Sequence, residues 1–505
     1  MTVGRTRAVS VVGVAGRVVD IEADISSGLP ALVLIGLPDA ALAESKDRVR
    51  SALANSGFAV PPQRITVNLS PASIPKQGSG FDVGIAVAIL VGAGHLSADA
   101  LTEWVHIGEL ALDGRIRPVP GILPALRAAR DAGFSRVVVP HGNRAEAQLV
   151  PGLDVRPVAS LREVAILHGA ECAEIPVEPF ELASVHDELD FPGDLSDVVG
   201  QPEVVESLIV AAAGGHHMML LGPPGAGKTM VASRLPGILP ELSTEDSLDV
   251  TSILSVANSG SVSRLVTRPP FEAPHHSATG VALVGGGSGI IRPGAISRAH
   301  CGVLFLDEAP EFSARVLDSL RQPLESGRIV VHRASSVVEF PARCHVILAA
   351  NPCPCGLGGG DGESCTCTPI VKRRYLGRLS GPLMDRIDIH VAVRRVSAAL
   401  VREGLPGSVT SHEARERVTS ARARAIARWG DINARVRGGV ISAAEHRLPR
   451  NVTAPLDRAL ERGALSMRGF DRVIRIAWTL ADLDASASPT TEHLNRALFL
   501  RKGMS

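Results

Sequence analysis

The chain has 505 residues, of which 45% are hydrophobic and only 3% aromatic, so aliphatic side chains must fill the cores of about three domains. Lysine plus arginine equals aspartate plus glutamate at 52 each, which excludes a uniformly basic nucleic-acid binder. No apolar stretch reaches the roughly 18 residues of a membrane span. The N-terminus also lacks the apolar core of a signal peptide. We therefore expect a soluble, cytoplasmic protein with no membrane contact.

The first 175 residues have the pattern of an α/β domain. Short runs rich in β-branched residues predict strands, and longer apolar or amphipathic runs predict helices. The predicted strands are 9–14, 18–25, 31–34, 65–69, 105–109 and 136–139, and the predicted helices are 39–55, 81–91 and 122–132.

Three further segments follow this domain. Residues 176–198 are acidic and contain three prolines, which is typical of a linker. Residues 199–395 contain the nucleotide-binding motifs described next. Residues 396–505 are rich in alanine and arginine, with helical periodicity and no convincing strand.

Residues 222–229 form a complete phosphate-binding loop, or P-loop. An apolar strand at 218–221 precedes the loop and a helix follows it, which makes a chance turn rich in glycine and proline a poor alternative. The backbone N–H groups of such a loop bind phosphate oxygens. We expect Lys228 to contact the β- and γ-phosphates of ATP and the hydroxyl of Thr229 to bind Mg²⁺. The eight residues are Gly222, Pro223, Pro224, Gly225, Ala226, Gly227, Lys228 and Thr229.

Polar residues follow two further apolar strands. The run at 303–306 ends in Asp307 and Glu308. We expect Asp307 to hold Mg²⁺ through water and Glu308 to act as the general base on the attacking water. The strand at 346–350 ends in Asn351, which would orient that water. The alternatives are a helix-capping acid pair and an ordinary turn asparagine.

Two arginines complete the predicted catalytic set. Arg386 lies in the segment 380–388, where an arginine can reach the nucleotide of a neighbouring subunit. The alternative is a surface pair with Asp388 or Asp385. Arg468 opens an apolar helix at 473–483 and would reach the γ-phosphate from a helical lid, unless it is a solvated residue at a helix start.

This ordered set resembles an AAA+ ATPase, and the chain as a whole resembles the ComM/YifB proteins, a Mg-chelatase-like AAA+ group. The segments 222–229, 271–280, 292–300, 304–312, 351–356 and 379–388 carry the resemblance. It implies an ATP- and Mg²⁺-dependent homo-oligomer, a hexameric ring, that moves branched or single-stranded DNA in recombination or transformation. A chelatase-like or chaperone-like ATPase that remodels a protein partner is the alternative.

The stretches 68–82 and 108–121 resemble the Lon-protease-type domain, a fold of the ribosomal S5 domain 2-like class. The resemblance implies an N-terminal Lon-like (ChlI-type) domain, a central AAA+ domain and a C-terminal helical lid. A Lon-type protease needs a nucleophilic serine and an activating lysine. Ser79 is one place away from the expected position, and 122–124 contain no lysine, so we expect no protease activity; a dyad of Ser79 and Lys76 is a weak alternative.

Two segments could contact a substrate. The glycine-rich segment 271–291 is one, and a predicted hairpin at 326–340, with Arg333 near its tip, is the other. Such a tip would follow a phosphate backbone without reading sequence. Basic stretches at 372–378 and 402–450 would either add to this contact or form solvated helix faces. His275 and His276 are adjacent, which disfavours a shared metal ion.

Four of the seven cysteines lie within 15 residues, as two Cys-x-Cys pairs. Four thiolates could enclose a structural Zn²⁺. Unligated thiols and a redox switch remain open as alternatives. The four residues are Cys353, Cys355, Cys365 and Cys367.

Overall fold

A computed structural model describes the chain except for residues 1–2, 37–39, 77, 183–192, 258–261, 288–290, 333–336, 359–364, 397–408, 442, 444 and 503–505. None of the helices in these described residues is both long and apolar enough to cross a bilayer. The structure is mixed α/β, with parallel sheets, as predicted.

The N-terminal part contains two main sheets. The first has the strand order β1-β2-β4-β3, with only β3 and β4 parallel, and the second is the parallel sheet β5-β8-β9 beside a small β6–β7 hairpin. The strands are β1 (Gly4–Val12), β2 (Ala15–Ser26), β3 (Ala31–Ile35), β4 (Arg64–Ser70), β5 (Trp104–His106), β6 (Glu109–Leu110), β7 (Ile116–Arg117), β8 (Arg136–Pro140) and β9 (Asp154–Val158).

Helices cover these sheets. The helix at Asp82–Gly92 is apolar around nearly its whole circumference and is buried, as such a helix must be. The helices are α1 (Ala40–Ala43), α2 (Ser45–Asn55), α3 (Asp82–Gly92), α4 (Ile122–Asp131), α5 (Arg144–Ala147) and α6 (Leu161–Leu167), with 3₁₀ turns at Asp99–Leu101 and His141–Asn143.

Polar groups buried in this part have hydrogen-bond partners within the protein. Asp82 is fully buried, and its carboxylate accepts hydrogen bonds from Arg48 Nε at 2.7 Å and from the backbone N–H of Leu110 at 3.2 Å. Lys76 Nζ donates to the carbonyl of Pro71, and Ser79 Oγ donates to Glu109. Ser79 and Lys76 thus donate to different groups, which gives no support to a protease dyad.

The central part is built on a five-stranded parallel sheet with the order β11-β14-β17-β10-β18. Apolar residues fill both faces of this sheet, as expected for a parallel sheet covered by helices. The strands are β10 (Met218–Leu221), β11 (Phe271–Glu272), β12 (Gly285–Gly286), β13 (Arg292–Pro293), β14 (Val303–Leu306), β15 (Arg328–His332), β16 (Val337–Pro341), β17 (His345–Ala350) and β18 (Ile389–Ala392).

The helices of the central part connect these strands. They are α7 (Pro202–Gly214), α8 (Lys228–Ile238), α9 (Thr244–Ala257), α10 (Gly280–Val284), α11 (Ala295–Arg298), α12 (Ala314–Ser319), α13 (Arg321–Ser326), α14 (Pro369–Leu376) and α15 (Gly381–Met384), with 3₁₀ turns at Leu195–Asp197 and Ala309–Glu311. The predicted hairpin at 326–340 is present as β15 and β16, while its tip, with Arg333, lies outside the described residues.

The described residues from 409 onward form helices and no strand, as predicted. The longest begins with a capping box, in which Thr410 Oγ1 accepts from Glu413 N and Glu413 accepts from Thr410 N, and it ends at Gly430 with φ of 77°. The helices are α16 (Ser411–Trp429), α17 (Gly438–Ile441), α18 (Arg450–Glu461), α19 (Met467–Leu483) and α20 (Thr491–Lys502), with a 3₁₀ turn at Asn433–Arg435.

Arginines on α16 attach these helices to the central part. Arg417 pairs with Glu206 at 2.7 Å, and Arg415 and Arg422 donate to the backbone carbonyls of Gly237 and Ala212. This part of the basic stretch 402–450 is therefore structural rather than a free surface for nucleic acid.

The N-terminal and central parts contact each other through α4 and α9. Arg127 pairs with Asp249 at 2.8 Å, and the N–H of Gly121 donates to the carbonyl of Ser255 at 3.2 Å. On the other side, Gly13 has φ of 65°, and a Cβ there would lie 2.8 Å from Val338 on strand β16. The N-terminal part is thus in direct contact with the β15–β16 hairpin, near the end of β16 that adjoins the tip.

The buried carboxyl of Glu146 makes the stability of the fold depend on pH. The carboxyl is buried, accepts the N–H of Leu123 at 3.1 Å, and burial raises its pKa from 4.5 to about 7. The folded state therefore binds this proton more tightly than the unfolded state does. The contribution of Glu146 to the free energy of unfolding is fully present below pH 4.5 and is lost as the pH rises through about 7. We expect Glu146→Gln to stabilise the protein at alkaline pH by up to about 3 kcal/mol.

Thermal unfolding across the pH range tests this prediction. The midpoint of the Glu146→Gln variant should exceed that of the unsubstituted protein above neutral pH, and the two should converge in acid. Glu171→Gln, at an exposed position, is the matched control and should follow the unsubstituted protein. A difference in unfolding midpoint between Glu146→Gln and the unsubstituted protein that stays the same at every pH would contradict the prediction.

Candidate active site

The parallel sheet brings three predicted segments to one edge. The P-loop follows β10, Asp307 follows β14 and Asn351 follows β17. These strands are neighbours in the order β14-β17-β10, so their carboxyl ends meet. Ligands of open α/β sheets bind at this edge.

The P-loop conformation requires its glycines. Gly225 and Gly227 have φ of 74° and 90°, which favours residues without a Cβ. At Gly222 a Cβ would lie 2.2 Å from the carbonyl oxygen of Val393. The loop therefore curls closely over the end of the sheet, with helix α8 starting at Lys228.

The side chain of Lys228 is held by three acceptors. Its Nζ donates to the carbonyls of Gly222 at 2.7 Å and Pro223 at 3.0 Å, and to Asn351 Oδ1 at 2.9 Å. Burial lowers the pKa of this lysine, while Asp307 and Glu308 act in the opposite direction. Lys228 and Asn351, which were predicted separately to bind phosphate and to orient the attacking water, are thus in direct contact.

Thr229 and Asp307 provide oxygen ligands of the kind that Mg²⁺ prefers. Thr229 Oγ1 donates to Asp307 Oδ2 at 2.8 Å, and the other oxygen of Asp307 accepts the N–H of Glu308 at 2.9 Å. The pair is exposed to solvent. A magnesium ion between the P-loop and β14 would be bound by these two groups, directly or through water.

Glu308 has a strained backbone, with φ of 49° in the left-handed region. Its carboxylate lies 3.1 Å from His276 Nδ1, and its side chain is 50% exposed. The two carboxylates have different partners, Thr229 for Asp307 and His276 for Glu308. This separation is consistent with distinct roles as metal ligand and general base.

Arg386 lies near the opposite edge of the sheet. It precedes β18, whose register aligns Ile389 with Met218 at the start of β10. The four residues of β10, at about 3.3 Å each, separate this edge from the P-loop of the same chain. Arg386 is 8% exposed, donates to the carbonyl of Pro382 at 2.6 Å and pairs with Glu325. Neither of the predicted surface pairs, with Asp385 or Asp388, is formed.

A cavity of about 510 Å³ opens beside Arg386. Seven arginines line it, including Arg386, Arg468, Arg472 and Arg475, while no P-loop residue does. Arg472 pairs with Asp388 and, although burial opposes it, this contact holds the pKa of Asp388 well below its usual range. The two predicted catalytic arginines, Arg386 and Arg468, thus share a basic cavity away from the P-loop of their own chain.

The four cysteines lie next to the P-loop edge. Cys353 Sγ is 3.2 Å from Cys355 Sγ and 3.7 Å from Cys365 Sγ, and all four sulfurs lie within 4.8 Å of one another. Tetrahedral zinc with bonds of about 2.3 Å places sulfurs about 3.8 Å apart. The N–H of Gly358 donates to Cys353 Sγ at 3.2 Å. The residues present therefore fit a zinc ion.

Sequence reasoning missed several contacts at the site. Gln201 Nε2 donates to the carbonyl of Ala226 in the P-loop at 2.9 Å, and Arg395 Nη2 donates to that of Pro224 at 3.3 Å. His276, considered only as a metal ligand, contacts Glu308 instead. The sequence shows that Gln201 stands directly before a helix that begins with proline. It does not show that the Gln201 side chain contacts Ala226, 25 residues later.

Three family descriptions match the chain. "Magnesium chelatase, subunit ChlI" matches residues 194–401, "Subunit ChlI of Mg-chelatase" matches 21–143, and "Magnesium chelatase, subunit ChlI C-terminal" matches 408–501. The protein YifB of Escherichia coli is 40% identical over 99% of this chain and 97% of its own length. The competence protein ComM of Haemophilus influenzae is 39% identical over 97% and 95%.

The chain belongs to the ComM/YifB family of Mg-chelatase-like AAA+ proteins. Membership of this ComM/YifB family indicates ATP binding with Mg²⁺ and ATPase activity. An uncharacterized protein of Mycobacterium tuberculosis is also similar, at 48% identity over 99% of both chains. A Lon protease of Mycolicibacterium smegmatis is 28% identical over 172 residues, 32% of this chain and 22% of that protein. This partial similarity fits the predicted Lon-like domain, while the domain boundaries stay predictions.

Proposed function

We propose that this protein is an ATP-hydrolysing ring motor that moves branched or single-stranded DNA. The observation that carries the proposal is the division of the catalytic groups between two edges of one sheet. The P-loop, Asp307 and Glu308 lie at the carboxyl edge, whereas Arg386 and Arg468 lie in the basic cavity at the amino edge. A neighbouring copy would supply these arginines to the nucleotide, so the active unit is a closed homo-oligomer, as a hexamer would be.

Each group has one role in this proposal. Lys228 and the P-loop amides bind the phosphates, while Thr229 and Asp307 hold Mg²⁺. Glu308 accepts a proton from the attacking water, and Asn351 orients that water molecule. Arg386 and Arg468 of the next copy stabilise negative charge that develops on the transferred phosphoryl group.

The DNA substrate is supported by two segments that lie together. Ile291, at the end of the glycine-rich segment, packs with Val338 and Phe340 of the β15–β16 hairpin. Both of the segments predicted to contact substrate therefore form one unit. The similar protein ComM of Haemophilus influenzae is described as a competence protein. A protein-remodelling ATPase remains the second candidate.

Stimulation by DNA tests the proposal. We expect forked and four-way DNA to raise the ATPase rate of the assembled protein severalfold, because substrate in the ring would favour the hydrolysing arrangement. Lys228→Ala is the control, since it removes phosphate binding and should abolish ATPase activity with or without DNA. Absence of both stimulation and DNA retention at low salt would favour a protein partner.

We also propose that Cys353, Cys355, Cys365 and Cys367 bind one structural Zn²⁺. The proposal rests on the sulfur separations and on the N–H···S bond from Gly358. Lys372 Nζ also lies at this cluster, 3.4 Å from the Cβ position of Gly358. A positive charge there would offset the negative charge that four thiolates and one Zn²⁺ leave. Metal analysis of the purified protein should find about one zinc per chain.

A further inference from the structure

The cysteine cluster touches the P-loop through Gly356. This residue lies between the two cysteine pairs, next to Cys355, and has φ of 75°. A Cβ placed on it would lie 2.6 Å from Pro224 Cγ and 2.8 Å from Pro224 Cδ. The backbone of the cysteine loop is therefore pressed against the P-loop with no space for a side chain.

A second contact runs through the strand that enters the cluster. Asn351, at the end of β17, accepts the hydrogen bond from Lys228 at 2.9 Å. Cys353 follows two residues later, so at most about 7 Å of backbone joins the two. The position of Cys353 thus limits the position of the Asn351 side chain.

Packing alone holds this loop weakly. Among the described residues of 353–368, Cys353 has the only buried side chain, and Leu357 is 39% exposed. Such a segment gains little apolar burial to offset the entropy of ordering. A bound metal would supply that order, because metal binding and local folding are coupled.

We infer that metal occupancy of the four-cysteine cluster controls how tightly the P-loop binds ATP and how fast it is hydrolysed. The inference rests on the proposed ATPase and zinc functions. With the metal bound, Gly356 is held on Pro224 and Asn351 on Lys228. Without it, both contacts lose their support, and the nucleotide site loosens although none of its own residues has changed.

Cys355→Ser tests the inference, because this residue is exposed and its sulfur contacts the sulfurs of Cys353 and Cys365. We expect the full-length variant to lose its zinc and to bind a fluorescent ATP analogue at least about tenfold more weakly, with a similar fall in ATPase rate. Cys355→His retains a zinc ligand and should restore both properties. Cys172→Ser, outside the cluster, should match the unsubstituted protein.

Gly356→Ala separates the contact from the metal. This variant keeps all four thiols, so its zinc content should be unchanged while its affinity for the ATP analogue falls. Gly152→Ala is the matched control, because Gly152 has a similar φ of 85° but open space around its Cβ position. Equal nucleotide affinity in Gly356→Ala and Gly152→Ala would overturn the proposed contact route.

The possible outcomes distinguish failure of this inference from failure of the proposed zinc site or of the proposed ATPase, on which it rests. A zinc-free Cys355→Ser with unchanged nucleotide affinity would overturn the inference while the zinc site and the ATPase stand. Zinc-free unsubstituted protein would overturn the zinc site, and zinc-loaded protein without ATPase activity would overturn the motor. Stripping the unsubstituted protein with a zinc-selective chelator and then restoring zinc should lower and recover ATP affinity, with circular dichroism confirming that it stays folded.

Discussion

Glu308→Gln should bind ATP with Mg²⁺ normally and hydrolyse it about 10²- to 10⁴-fold more slowly than the unsubstituted protein. Glutamine keeps the size of the side chain but cannot accept a proton from water. Thr229 and Asp307 remain in contact, so the metal and phosphate groups are undisturbed. Binding of a fluorescent ATP analogue and single-turnover hydrolysis measure the two effects separately.

A neighbouring carboxylate provides the control for Glu308. Glu311 lies three residues later, is partly exposed and pairs with Arg378 at 3.0 Å. Glu311→Gln changes the local charge equally but should leave turnover near that of the unsubstituted protein. Normal turnover by Glu308→Gln would show that another group takes the proton. A loss of ATP binding in Glu308→Gln would instead assign Glu308 to the metal site.

The residues at the carboxyl ends of the strands could be predicted because local sequence patterns determine where each strand ends. The predicted strand 218–221 is β10 as observed, and the acids at 307 and 308 follow β14. Periodicity also predicted the apolar helix at 81–91 within one residue. These features depend on residues that are adjacent in the chain, and the P-loop fixes which end of the strand faces the phosphates.

Contacts between distant segments were not predictable in the same way. The pair of Arg386 with Glu325 joins residues 61 positions apart, and the pair of His276 with Glu308 joins two separate loops. The β1 strand was misplaced because Gly13 turns the chain with φ of 65°, so the strand is Gly4–Val12 rather than 9–14. Helical periodicity located Arg468 on a helix start but gave no direction for its side chain.

The location of Arg386 leads to a test that separates action within a chain from action between chains. Arg386→Ala should bind ATP and lose about 10³-fold in hydrolysis, because an arginine at the transferred phosphoryl group is worth that much. Lys228→Ala should bind no ATP. If Arg386 serves the neighbouring copy, mixing the two inactive variants creates interfaces that join an intact P-loop to an intact Arg386.

Random equal mixing should place both intact groups at about a quarter of the interfaces of a closed ring, because each interface is heterologous. ATPase activity should therefore reappear on mixing and depend on assembly. Arg321→Ala, an exposed arginine on α13 close to Glu325 in sequence, is the matched control and should be active on its own. Because an arginine acting within its own chain cannot be supplied by another copy, a mixture that stays inactive while both variants assemble would refute the shared site.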